Sequence, residues 1–352
     1  MVIVMSHEID LSKYSVRTDL VIESIKDKSI EGLIKEDRKY DDILVNDIIV
    51  TKDIERYCNK KKGKYITISF DDVTDISNQK KVEEVFQIEL SSFLKYMNIL
   101  ESDKCLVVGL GNENSTPDAL GPKVINSIIV TKHLFDLDGV DVLDGYRNVS
   151  TIKPSVLALT GIETKDIISG IINKTKPDFV IIIDALASSS ISRVNKTIQL
   201  TNAGIFPGSG VGNCRGELSY QTLGIPVIAI GVPTVVDAVT IVSDTINYLM
   251  QKFSYSKKNV NNKKDKLKPI TSINYLENEL DELSKNDKKK LLGEIGILSE
   301  EEIKQLIFEV LTPIGYNMMV TPKEVDFVIE KLSLVISNVI NRSLHQNIKL
   351  ID

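Results

Sequence analysis

Hydrophobic and polar positions change their rhythm near residue 104. Before that point the chain is polar and charged, with modest apolar periodicity. Lys64 to Phe70 (KYITISF) alternates and is rich in β-branched residues, which predicts a strand. Lys80 to Leu100 carries Val82, Val85, Phe86, Ile88, Leu90, Phe93 and Leu94 at near-helical spacing, which predicts an amphipathic helix. From residue 104 the apolar residues fall into short continuous runs: CLVVGLG, VDVLDG, FVIIIDAL and IPVIAIGVP. Each is followed by turn chemistry and then a helical stretch. Strands that are apolar throughout are buried on both faces, so a mainly parallel sheet between two helix layers is expected, with its core within residues 104–252.

Helix boundaries are marked in three places. Thr116-Pro117-Asp118 places a cap before a proline and opens a helix over Ala119 to Val130. Thr234, followed three residues later by Asp237, resembles a capping box opening Val235 to Met250. Thr321-Pro322-Lys323-Glu324 precedes Val325, Ile329, Leu332, Ile336 and Val339, a helical stripe that must pack on the main body. Residues 253–290 are rich in Lys and Asn and read as a solvated surface loop or linker, followed by a helical part over 291–352.

Composition narrows the chemistry. Of 352 residues, 42% are hydrophobic and 26% charged, the balance of a globular protein, and the net charge of -6 argues against direct nucleic-acid binding. No stretch approaches the roughly 20 apolar residues of a membrane helix. The opening MVIVMSHEID lacks the length and basic flank of a signal peptide, so a cytoplasmic location is expected. Three cysteines without CxxC spacing supply neither a disulfide framework nor a zinc ribbon, and Cys105 reads as core. The three histidines, His7, His133 and His345, sit beside no obvious nucleophile, and HExxH is absent. Conventional serine, cysteine and zinc hydrolysis is therefore disfavoured.

Ligands of open α/β sheets bind beyond the carboxyl ends of the strands. Asp118, Asp184 and Asp237 fall there, and the first two are the stronger candidates. Asp118 could equally complement a helix dipole, and Asp184 could equally organise a loop as a hydrogen-bond acceptor. Two carboxylates at one crevice cannot both ionise cheaply, so one keeps a proton, and the pair can activate water and protonate a leaving amine. The GLGN turn is not a dinucleotide fingerprint, because Asn114 stands at the third glycine position. Gly204 to Glu217 (GIFPGSGVGNCRGE) reads either as an irregular connection or as a wall over the crevice.

GLGNENSTPDALGP, GIETKDII, KPDFVIIIDALA, IFPGSGVGN, LGIPVIAIGVPTVVDAVTI and VTPKEVD together resemble the germination protease family, and DLSKYSVRTDL extends the likeness almost to the first residues. The resemblance implies an α/β/α sandwich related to the hydrogenase-maturation peptidases, and an endopeptidase that starts degradation of small acid-soluble spore proteins in the developing spore and spore core. It also implies a homotetramer. Asp118 and Asp184 match the family's two proposed catalytic aspartates. No cofactor is expected; a divalent metal held by the same aspartates remains the mechanistic alternative, with His133 open as a ligand. The resemblance further implies a zymogen whose substrates are cut in a Thr-Glu-apolar-Ala-Ser-Glu context. Thr18-Asp19-Leu20-Val21-Ile22-Glu23 resembles that pattern, so residues 1–19 are expected to be a propeptide released between Asp19 and Leu20, leaving 20–352 as a single catalytic domain. Val21 stands where alanine is usual, which predicts slower processing. An acidic residue before the cut calls for a basic pocket, for which Arg147, Arg193 and Arg215 are the candidates. A terminus-specific processing peptidase and a non-catalytic nucleotide- or protein-binding module are the competing readings.

Overall fold

A computed structural model describes residues 18–24, 33–52, 60–137, 145–208, 216–258, 283–311 and 318–346. They separate into two compact units, one of Arg17–Val236 with Thr321–Asp352 and one centred on Asp237–Val320. The first unit begins with strands β1 (Ile34–Tyr40), β2 (Ile43–Val50) and β3 (Gly63–Ser69), followed by helix α1 (Ile76–Tyr96). Strand β4 (Cys105–Gly109) leads through a 3-10 turn at Thr116–Asp118 into α2 (Leu120–Ile125). Then come β5 (Val149–Ile152), α3 (Thr164–Thr175), β6 (Phe179–Ser188), β7 (Thr197–Thr201) and β8 (Val227–Asp237). The second unit contributes α4 (Ala238–Lys258), α5 (Lys285–Leu292) and α6 (Glu300–Leu311), after which α7 (Val325–Leu344) returns to the first.

The strands join in the order β1-β2-β3-β7-β8-β6-β4-β5. β5, β4, β6 and β8 run parallel, as the uninterrupted apolar runs of β4, β6 and β8 predict; β5 (VSTI) has no such run and is not expected from the pattern. β7, β3, β2 and β1 extend the sheet antiparallel, so the sheet is mixed rather than mainly parallel and reaches back before residue 104. β1 (IKEDRKY) is a largely exposed edge strand without an apolar face, which is why no hydrophobic pattern announces it. One sheet face packs on α1, α2 and α7 through Phe86, Leu90, Phe93, Ile181, Ile183, Ile230, Leu332 and Ile336. The other carries α3 through Ile168 and Ile172 against Leu106, Val108, Val180 and Ile182. Helices on both faces make the expected α/β/α layering. In the second unit α6 packs on α4, and Lys257 pairs with Asp287 at 2.6 Å. Among the described residues no helix is long and apolar enough to cross a membrane.

Several boundaries moved for local reasons. Thr234 does not cap a helix: β8 runs on to Asp237, and the Thr234 hydroxyl donates to the Pro117 carbonyl at 2.7 Å. Asp237 instead accepts the Val239 amide at 2.8 Å and caps α4, which extends to Lys258. Lys285–Leu292 is helical although the stretch reads as loop, and Ser284 caps it. VDVLDG and the centre of the Gly204–Glu217 stretch lie outside the described residues. Cys105 is core, and burial pushes its thiol far above the usual range.

The approach of α2 to β4 and β6 depends on Gly121. A Cβ there would stand 2.3 Å from the Leu110 carbonyl oxygen and 2.7 Å from that of Ile183. Gly121→Ala is expected to cost about 1–3 kcal/mol of stability in urea unfolding, and to impair activity by displacing the Asp118 turn.

Candidate active site

β4 pairs with β6 only as far as Gly109 opposite Ile183, and the Leu110 amide adds a last bond to the Ile183 carbonyl at 2.8 Å. β6 continues, so its next residue, Asp184, emerges where β4 has given way to a turn. That turn folds tightly. Gly111 has φ +112°, and a Cβ on it would lie 2.0 Å from the Asp118 carbonyl oxygen. Asp118 closes the loop by accepting the Asn112 amide on Oδ2 at 2.8 Å. The two aspartates thus come together from the two strand ends that the sequence singles out.

Asp184 is 6% exposed and accepts the Ala185 amide at 3.0 Å. Burial, followed by the charges of Asp118 and Asp19, pushes its carboxyl well above the usual carboxylate range. This is the environment of a carboxylic acid that stays protonated beside a second carboxyl group.

The third charge belongs to the N-terminal segment. Asp19 is tied to β6 at one residue: its amide donates to the Ala187 carbonyl at 3.1 Å, and its Oδ2 accepts the Ala187 amide at 2.9 Å, before the chain turns into the short helix Val21–Ser24. Leu20 and Val21 are fully buried. Glu23 anchors the far end, accepting from Ser188 Oγ at 2.6 Å, the Ser189 amide at 2.8 Å and Ser189 Oγ at 2.9 Å, with Arg193 Nε 3.5 Å away. The Thr18 hydroxyl also donates to Glu23, and the Lys60 ammonium to the Thr18 carbonyl at 2.7 Å.

The three candidate arginines fare differently. Arg193 reaches the segment, at Glu23 rather than Asp19. Arg147 is buried at the amino ends of the strands, where its guanidinium donates to the Leu100 and Asp103 carbonyls at 2.6 and 2.7 Å and lies over the Phe179 ring. It is not brought to the aspartates. Arg215 lies outside the described residues. Reasoning from sequence missed Glu23 as an anchor and Gln199 beneath it; the Ser188-Ser189-Ser190 run after an apolar strand is the signal that could have pointed to an anion cradle.

A metal of the kind implied by the hydrogenase-maturation likeness would need a histidine beside the carboxylates. His133 sits on the short helix Lys132–Phe135, whose flanking Thr131 bonds Val149 at the amino end of β5. His345 accepts the Arg147 amide at the same end of the sheet. His7 lies outside the described residues. Among the described residues no group of three or more His, Cys, Asp or Glu side chains could hold a metal ion, so these residues do not fit that donor set.

The raised Asp184 carboxyl has a consequence for stability. Unfolded aspartate ionises near pH 3.9, so above that value the native state holds a proton that the unfolded chain has lost, and stability falls as pH rises toward the native value. Asp184→Asn removes this burden. Its thermal midpoint should exceed that of the unaltered chain at neutral pH, with the gain vanishing below about pH 4.

The sequence profile of the germination protease family matches residues 11–351. The germination protease of Bacillus thuringiensis subsp. konkukian (strain 97-27) is 47% identical, covering 98% of this chain and 97% of that protein. That of Bacillus cereus (strain ATCC 10987 / NRS 248) is 48% identical with the same coverage. Among solved structures, the [NiFe] hydrogenase maturation protease HycI from Thermococcus kodakarensis KOD1 aligns over 38% of this chain and 74% of its own, at 20% identity and a TM-score of 0.25. With a family profile and curated relatives that span nearly the whole chain, the protein belongs to the germination protease family and is a peptidase of spore germination.

Proposed function

We propose that the chain is a zymogen endopeptidase that cuts itself between Asp19 and Leu20 and then begins the breakdown of small acid-soluble spore proteins, with Asp118 and Asp184 activating water. The observation that carries this reading is the docking of Asp19 on Ala187, three residues along β6 from Asp184 and close enough for its charge to act on that carboxyl. A segment with the sequence of a cleavage site lies beside a protonated carboxyl and its acidic partner.

The chemistry follows from the two environments. Asp184 is the acid, because burial and two neighbouring carboxylates favour its neutral form. Asp118 is the base. Water adds through its oxygen to the Asp19 carbonyl carbon and gives a proton to Asp118. The carbon–nitrogen bond then breaks as the Leu20 nitrogen takes the proton of Asp184, leaving a new carboxyl group and a new amine. Glu23, held by Ser188, Ser189 and Arg193, fixes the segment four residues beyond the bond, and a substrate with an acidic residue at that spacing would meet the same donors.

Incubation of the full-length chain should release residues 1–19 and expose Leu20 as a new N-terminus, detected by mass spectrometry. Asp118→Asn and Asp184→Asn should each slow this by about 10²–10⁴-fold. Arg193→Ala should slow it by only a few fold, in line with one partly exposed ion pair. A chelator should leave the rate unchanged; loss on chelation with recovery on adding metal would move both aspartates to ligand roles. Cuts at a single protein terminus only, rather than at internal acidic sites of a small acid-soluble spore protein, would favour a processing peptidase.

A further inference from the structure

The sheet row that contains Asp184 continues across four more strands. Asp184 pairs with Gly231, Gly231 with Gln199, Gln199 with Thr67, and Thr67 with Asn46. Residues in register point to the same face, so Gln199 and Asp184 flank Gly231 on one side of the sheet, two strand spacings or about 10 Å apart. Gly231 admits no side chain, since a Cβ would meet Leu186 at 2.4 Å. Gln199 is 5% exposed in the middle of a strand.

A buried glutamine must satisfy its amide, and this one does so on main-chain groups of the N-terminal segment. Its Nε2 donates to the Asp19 carbonyl at 3.2 Å, and its Oε1 accepts the Val21 amide at 2.8 Å. The two partners fix the orientation: turning the amide over would set oxygen against oxygen and N–H against N–H. The residue between those two bonds is Leu20, and the carbonyl that Nε2 touches is that of the Asp19–Leu20 peptide bond.

We propose that Gln199 is a catalytic residue whose carboxamide brackets the bond to be cut and whose Nε2–H stabilises the oxyanion formed on the Asp19 carbonyl oxygen. This rests on the reading of Asp19–Leu20 as the processing bond. When water adds to the carbonyl carbon, the π pair moves onto that oxygen, and a donor already aimed at it strengthens as charge develops. In a buried site the gain is larger than in water. When the tetrahedral carbon expels the Leu20 nitrogen, the oxygen returns to a carbonyl and the bond to Gln199 relaxes. Only water is consumed. The same amide would meet the carbonyl of the acidic residue before the cut in any substrate that replaces the segment, and its partner oxygen would hold the second amide beyond the cut.

The test uses the full-length chain with Gln199→Met, which keeps the length and removes the donor, and Gln199→Glu, which keeps an acceptor for Val21 and sets a carboxylate oxygen against the Asp19 carbonyl. Two quantities are read together: the rate at which Leu20 appears as a new N-terminus, and the hydrogen-exchange protection of the Asp19 amide, which is bonded to Ala187 and not to Gln199. The proposal predicts that both variants lose on the order of 10²-fold in processing rate while that protection stays within a few fold of the unaltered chain. It also predicts that the rate of Gln199→Glu relative to the unaltered chain recovers as the pH falls and the introduced carboxyl gains a proton to donate. Processing at the unaltered rate, or a loss of rate matched by an equal loss of protection, would overturn it, since the second result is that of a mere anchor. If Gln199→Met does not fold, the pH recovery of Gln199→Glu decides alone. An unaltered chain that is cut elsewhere, or not at all, would instead remove the reading of the processing bond.

Discussion

The site rests on an unequal pairing of two parallel strands. β4 stops at Gly109 and β6 does not, so the chain that leaves β4 must turn over the continuing edge of its neighbour. Gly111 and Gly121 make the turn tight enough to lie against β6, and Asp118 arrives beside Asp184. The sheet is covered by helices on both faces, so the second carboxyl is out of water. Two acids held in that way favour sharing one proton, at a cost in local stability.

The N-terminal segment adds a third acid to this pair. Asp19 contributes to raising the Asp184 carboxyl, and its main chain is held by Ala187 and Gln199 while Glu23 is tethered in the Ser188-Ser189-Arg193 cradle. Anchors on both sides of Leu20 hold one peptide bond between Ala187 of β6 and the Gln199 side chain, which belongs to the sheet row of Asp184. In this account the contacts that bury the segment are also those that present it for cutting.

Much of this was legible beforehand where burial writes itself into the residues. β4, β6 and β8 stand out because they are apolar on both faces; Asp184 stands out because an acid at the end of such a run needs a reason, and Asp118 because it opens the helix that follows β4. β1 was not legible, since an exposed edge strand needs no apolar face. Thr234 looked like a cap because Thr-x-x-Asp fits one; the β-branched run around it favours strand, and the hydroxyl found the Pro117 carbonyl instead. Gln199, in TIQLT, reads as the polar face of an ordinary strand. Only the register that sets it beside Gly231 and Asp184 reveals its neighbours, and register is not written in one strand alone. Arg147 lies near a predicted crevice segment in sequence but at the opposite end of the strands in space, a distinction that loop position in the chain does not carry.

The most direct measurement is a pH titration of the Asp184 carboxyl by carbon-13 NMR on the full-length chain with labelled aspartate, assigned through Asp184→Asn. The account predicts that the Asp184 resonance keeps its protonated position well above about pH 4, where ordinary aspartates have ionised, and that Asp118→Asn lowers the pH at which it titrates. An Asp184 that ionises with the exposed aspartates, indifferent to Asp118, would contradict the shared proton and with it the division of acid and base between the two residues.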